Sequence, residues 1–119
     1  MLARLQAYKE FPYNSNLTFF CDADSLLIQK LDLLDFRDDI YLSKRREEMI
    51  MNYHYPEFYP EFINKKVTEV MPYLFGAMAI RNGKNIFSKL LEISEKLPDR
   101  FHRWYGDQYS LMKFVKQNK

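Results

Sequence analysis

One run constrains this chain more than any other: Leu17-Thr18-Phe19-Phe20-Cys21-Asp22-Ala23-Asp24-Ser25-Leu26-Leu27. Its first five residues are apolar on both faces apart from Thr18, which suits a short, covered strand. The strand then opens into two carboxylates two residues apart. In extended backbone such side chains point to one side, about 6.5–7 Å apart. Asp22 and Asp24 can therefore converge on one divalent cation, directly or through water. Oxygen ligands of this kind suit Mn²⁺ or Mg²⁺, with substrate phosphates completing the shell. The same two residues also read as an ordinary turn or a helix N-cap, where Asp is common.

A length of 119 residues suits one domain spanning the whole chain, 1–119. Apolar residues make up 47%, which argues against disorder. Ten Phe, nine Tyr and one Trp are enough to fill a core and leave rings over for a ligand or a partner. Eighteen basic and sixteen acidic residues leave a net charge of +2, too balanced to imply nucleic acid. The single cysteine, Cys21, has no internal disulfide partner and reads as a small buried hydrophobe in a reducing compartment. No apolar run approaches the roughly 20 residues of a membrane span, and no signal-peptide core stands at the N-terminus. The expectation is a cytoplasmic chain with no transmembrane segment.

The patterning predicts a helix over residues 2–11, stopped by Pro12 and Asn14-Ser15-Asn16, and then the strand over 17–21. A Leu-rich helix is expected from about Ser25 or Leu31 to Phe36. Residues 40–42 form a second short strand, and 44–51 a charged, solvated stretch. The aromatic segment 52–62 carries Pro56 and Pro60 and reads as an ordered loop. Residues 73–80 form the third strand, Asn82-Gly83 a turn, 85–97 the clearest helix and 107–117 the last, with Asp107 as its N-cap.

Two further constellations accompany the Asp pair. Gly76 and Ala77 lie inside the third strand, where a glycine marks a bulge, a tight core position or the close approach of a ligand. Trp104-Tyr105-Gly106-Asp107-Gln108 sets a carboxylate at a helix start behind two rings. The carboxylate reads as a cap with Trp104 as a core anchor, or as a partner for a sugar hydroxyl. His54 and His102 have no metal-ligand spacing. No phosphate-binding glycine loop and no nucleophile elbow occur.

The order of these signals resembles nucleotide-sugar glycosyltransferases of the GT-A fold, especially the family-8-like retaining branches. The matching residues are Ala3-Arg4, the apolar run ending in Asp22-Ala23-Asp24, Leu31 to Leu34, Phe75-Gly76-Ala77-Met78, and Gly106-Asp107-Gln108 with Leu111. The resemblance covers nearly the whole chain. It implies an α/β fold: a truncated GT-A-like, partly Rossmann-like mixed sheet flanked by helices. It implies that Asp22 and Asp24 hold Mn²⁺ or Mg²⁺ on the donor diphosphate, Asp24 more directly, with Arg4 nearby. Gly76 and Ala77 would line the sugar pocket, and Asp107 and Gln108 would act on the donor sugar or the acceptor. The metal and Arg4 would stabilise charge on the departing nucleoside diphosphate.

The family's first strands, which hold the nucleoside base, have no counterpart before Arg4, and Leu74-Phe75 stand where Asn-Ser is expected. By resemblance this is the central and acceptor-side part of a longer fold. The implied partners are a nucleoside-diphosphate sugar, a sugar or glycan acceptor, and a second copy or a completing subunit. A different class of reading is a non-catalytic interaction or self-associating module that kept the fold, with the aromatic segment as its partner surface.

Overall fold

Among the described residues of this computed structural model the longest strand is Tyr73–Ile80, and both other strands pair with it. The structure describes residues 1–26, 28, 37–51, 61–103 and 105–118. In chain order the elements are α1 (Leu2–Glu10), β1 (Thr18–Cys21), β2 (Ile40–Lys44), α2 (Val67–Val70), β3 (Tyr73–Ile80), α3 (Gly83–Glu95), a short 3-10 helix (Asp99–His102) and α4 (Gly106–Gln117). The expected Leu-rich helix (31–36), most of the aromatic segment (52–60) and Trp104 lie outside the described residues.

The sheet order is β1-β3-β2. Both pairings are antiparallel: Thr18 faces Ile80 and Cys21 faces Ala77, while Ile40 also faces Ile80 and Lys44 faces Tyr73. The domain is thus α/β, with an antiparallel sheet among the described residues where a mixed one was expected. The physical reason lies in β3, which runs back between two strands of the same direction. The β2 register shifts between Leu42 and Ser43, and the Ser43 hydroxyl donates to the Ala77 carbonyl at 3.0 Å across the shift. Cys21 is exposed rather than buried. It ends an edge strand whose alternation turns Phe20, not its neighbours, toward the core.

One core cluster joins α1, β3, α3 and α4 through Leu5, Phe75, Met78, Ile80, Phe87, Leu90 and Leu111. Aromatic rings bind its upper layer: Tyr8, Phe20 and Phe87 sit 5.1–5.2 Å apart in tilted and edge contacts. A second cluster gathers Met51, Val67, Val70, Met71 and Phe101. There Phe101 stacks on Tyr109 of α4 at 5.0 Å. The two clusters meet through α4. The Ser94 hydroxyl of α3 donates to Ser110 Oγ at 2.7 Å, and Ser110 donates to the Gly106 carbonyl at 3.0 Å. Two buried hydroxyls are thereby satisfied where α3 and α4 cross.

The Asn82-Gly83 turn signal is real, and Asn82 carries its left-handed backbone at φ 50°. Gly83 answers a different need: a β-carbon there would stand 2.5 Å from the Tyr13 ring. Tyr13 closes over that gap and donates its hydroxyl to the Tyr8 carbonyl at 2.6 Å, pinning the loop after α1 to the start of α3.

Burial, helped by neighbouring Tyr8, pushes the Tyr13 phenol up to about 12 from an ordinary 10.0. The fold favours the neutral phenol. Its contribution is complete below the unfolded-state value and is lost as pH rises toward the folded one. Tyr109, also raised by burial, acts in the same direction. Tyr13→Phe is expected to cost about 1 kcal/mol at neutral pH. It should also reduce, without abolishing, the fall in stability between roughly pH 10 and 12. Urea titrations across that range check both.

Candidate functional site

The ladder between β1 and β3 does not stop at Cys21. The Asp22 N–H donates to the Gly76 carbonyl at 2.8 Å, so Asp22 lies directly beside Gly76. Its carboxylate occupies the place where a β-carbon at position 76 would stand; that carbon would sit 2.9 Å from the carboxylate carbon. The glycine has ordinary backbone angles, since no glycine has a positive φ. It is required by the closeness of Asp22. The chain then turns: the Ser25 N–H donates to the Asp22 carbonyl at 3.0 Å, which ends the extended backbone at Asp22.

Arg4 reaches this place from α1. Its guanidinium carbon lies 4.7 Å from the centroid of the Phe75 ring, a cation–π contact on the strand residue next to Gly76. It also pairs with the Asp107 carboxylate of α4. Asp107 is only 3% exposed, and the other carboxylate oxygen accepts the Gln108 N–H at 2.7 Å. Asp107 is therefore not the helix cap. Tyr105 holds that position with a left-handed φ of 71°, and Asp107 lies in the first helical turn, where a negative charge is favoured.

These residues enclose a cavity of about 450 Å³. Five of the residues singled out in the sequence line it: Arg4, Asp22, Gly76, Asp107 and Gln108. Among the described residues, the lining includes neither Asp24 nor Ala77. Asp24 is exposed in the turn after Asp22, and the Ala77 carbonyl is taken by Ser43. Phe75 and Tyr105 line it as well, and the structure adds Met1 and Arg103. Phe75 and Tyr105 belong to the glycine strand and the aromatic pair that the sequence already marked. Arg103 could have been noticed only as a basic residue just before the Tyr-Gly-Asp-Gln stretch.

The cavity's polar groups divide into committed and free. Arg4 and Asp107 neutralise one another, whereas Asp22 and Arg103 have no ion-pair partner among the described residues. Two rings, an amide and a free carboxylate around one space are groups that recognise hydroxyls and the apolar face of a sugar ring. Among the described residues, no three His, Cys, Asp or Glu side chains gather as a metal cage. His102 is engaged elsewhere, its ring nitrogen 2.8 Å from the Ser94 carbonyl. No helix among the described residues is long and apolar enough to cross a membrane.

Two outcomes follow from this geometry. Gly76→Ala is expected to drive the Asp22 carboxylate aside and to cost about 1–3 kcal/mol. Asp22→Ala removes the obstructing atoms, so the double variant should recover most of that loss in a denaturation cycle. Arg4→Met leaves the buried Asp107 charge without its cation and is expected to cost about 2–4 kcal/mol. Asp107→Asn should cost less at the same pH, because a neutral amide needs no counter-charge.

No family model matches the chain, no curated protein matches it, and no solved structure matches it.

Proposed function

We propose that the cavity is the sugar-binding part of a glycosyltransferase-like site. It would accept a nucleoside-diphosphate sugar with a divalent cation and pass the sugar to a hydroxyl acceptor. The observation that carries the reading is the convergence of Arg4, Asp22, Gly76, Asp107 and Gln108, which come from four separate parts of the sequence, on one cavity. Phe75 and Tyr105 supply apolar walls for a sugar ring. Asp22 and Gln108 supply the polar contacts that orient its hydroxyls.

Asp22, with Asp24 two residues on, would hold Mn²⁺ or Mg²⁺. Such cations are commonly bound through one or two carboxylates plus substrate phosphates, so a cage of three protein ligands is not required. The cation would take up charge on the departing diphosphate. In the transfer, the bond from the sugar's anomeric carbon to the diphosphate oxygen breaks. A bond to the acceptor hydroxyl oxygen forms, and that hydroxyl's proton is released. Asp107, held by Arg4 and by the Gln108 N–H, would stand beside the sugar and place Gln108 against it.

A second reading is favoured by one observation. Among the described residues β1 is an edge strand and exposes Phe19, and Phe11 is exposed just past the end of α1. Unpaired edges beside apolar side chains favour association. In that reading the chain is a non-catalytic module that binds a second copy or a completing subunit.

Thermal unfolding with MnCl₂ alone, a panel of nucleoside-diphosphate sugars alone, and both together separates the two readings. The site reading expects a rise only, or mainly, with both. The rise corresponds to about 2.7 kcal/mol when the ligand stands at a hundred times its Kd. Asp22→Ala should abolish it and Asp24→Ala should reduce it. No response to Mn²⁺ with any member of the panel, in a chain that self-associates, decides for the module.

A further inference from the structure

The geometry points to Arg45 as a positioning residue that fixes the Gln108 side chain and turns its NH₂ group, a donor, toward the cavity. What that donor meets rests on the sugar-site reading above; which way the amide faces rests on chemistry alone. Arg45 directly follows β2, and its backbone N–H donates to the Pro72 carbonyl at 2.8 Å. Its side chain is only 7% exposed. Nε donates to the Met71 carbonyl at 3.3 Å, and Nη2 donates to Gln108 Oε1 at 2.5 Å. Nη1 lies 3.6 Å from the exposed Glu47 carboxylate. The guanidinium is thus held from several sides before it reaches Gln108.

A guanidinium has five donors and no acceptor. Only the oxygen of the Gln108 amide can face it, so the nitrogen must face elsewhere. Among the described residues no acceptor meets that nitrogen, and Gln108 lines the cavity. Its neighbour Asp107 is already committed to Arg4 and to the Gln108 backbone. Beside the unpaired Arg103 guanidinium, the cavity therefore offers an oriented donor, the Gln108 NH₂, and an uncommitted acceptor, the Asp22 carboxylate. A hydroxyl satisfies both kinds of group, because it accepts and donates. A hydroxyl-bearing ring therefore suits the Gln108 side of the cavity.

Three substitutions in the full chain test this. Gln108→Glu keeps an oxygen for Arg45, so its melting temperature should match the wild type within about 2 °C or exceed it. Gln108→Leu leaves a buried cation without that acceptor and should lose roughly 5–10 °C. Gln108→Glu as damaging as Gln108→Leu overturns the contact. In ¹⁵N-labelled protein, the Gln108 NH₂ signals are the pair that disappears in Gln108→Leu. They should stand apart from free glutamine amides and move to the free positions in Arg45→Met. Wild-type signals already at the free positions, or unmoved in Arg45→Met, overturn the positioning role. Should Arg45→Met not fold, the Glu and Leu pair still decides. With UDP-glucose and MnCl₂ as the probe, Gln108→Glu should bind at least tenfold more weakly while remaining folded; undiminished binding overturns the role of the NH₂ group as a donor to the sugar. A wild type that ignores every nucleotide sugar sinks the sugar-site reading, while the melts and amide signals still judge Arg45.

Discussion

The pairing of Arg4 with Asp107 links the first helix to the last across the central strand. A carboxylate 3% exposed has little water to stabilise it, and so it needs a cation or a proton. Arg4 is suited to that task because it is anchored on its other side by the Phe75 ring. The side chain remains 39% exposed, so the pair sits at the border of core and cavity. That placement fixes how α1 lies against β3 and where α4 begins. It also fixes one wall of the cavity. The same contact therefore serves packing and the site, and neither can be altered without the other.

Local signals carried the elements well. The strand at 73–80 has the bounds its composition suggests, because seven apolar residues around one glycine leave no helical period to compete. The helices at α1, α3 and α4 follow their apolar stripes to within about two residues. What the sequence hid depends on pairings between distant segments. The direction of β3 against its neighbours follows from where intervening chain carries it, and no residue of the strand encodes that. The exposure of Cys21 follows in turn, since an apolar run is covered on both faces only when the sheet has layers on both sides.

The site was legible for the same local reason and only in part. Asp22, Gly76, Asp107 and Gln108 stand out because each interrupts an apolar element or starts one. Arg45 does not stand out, since it belongs to a run of charges that reads as a solvated face. Its 63-residue separation from Gln108 makes the contact invisible to any pattern argument. Long-range hydrogen bonds to buried cations are set by the fold, and they decide which atom of an amide faces a cavity. Composition reveals the amide, and only the tertiary structure reveals its orientation.

Tyr105 shows how much the rest of the structure is arranged around the start of α4. A tyrosine at φ 71° sits in a region that L-residues avoid, at a cost of about 1 kcal/mol or more. Such a residue persists only when its surroundings outweigh the cost. Here the surroundings are specific. The Gly106 N–H donates to the Arg103 carbonyl, and the Gln108 and Tyr109 N–H groups donate to Tyr105. One turn further, Tyr109 stacks on Phe101 and Ser110 bonds to Ser94. These contacts hold the helix from its buried side. The left-handed residue then lets the chain arrive from the 3-10 helix and enter α4 abruptly, so that Asp107 and Gln108 fall in its first turn. A more gradual entry would shift both residues along the helix. Asp107 would leave Arg4 and Gln108 would leave Arg45, which would abandon the two contacts that give the cavity its charge balance and its oriented donor.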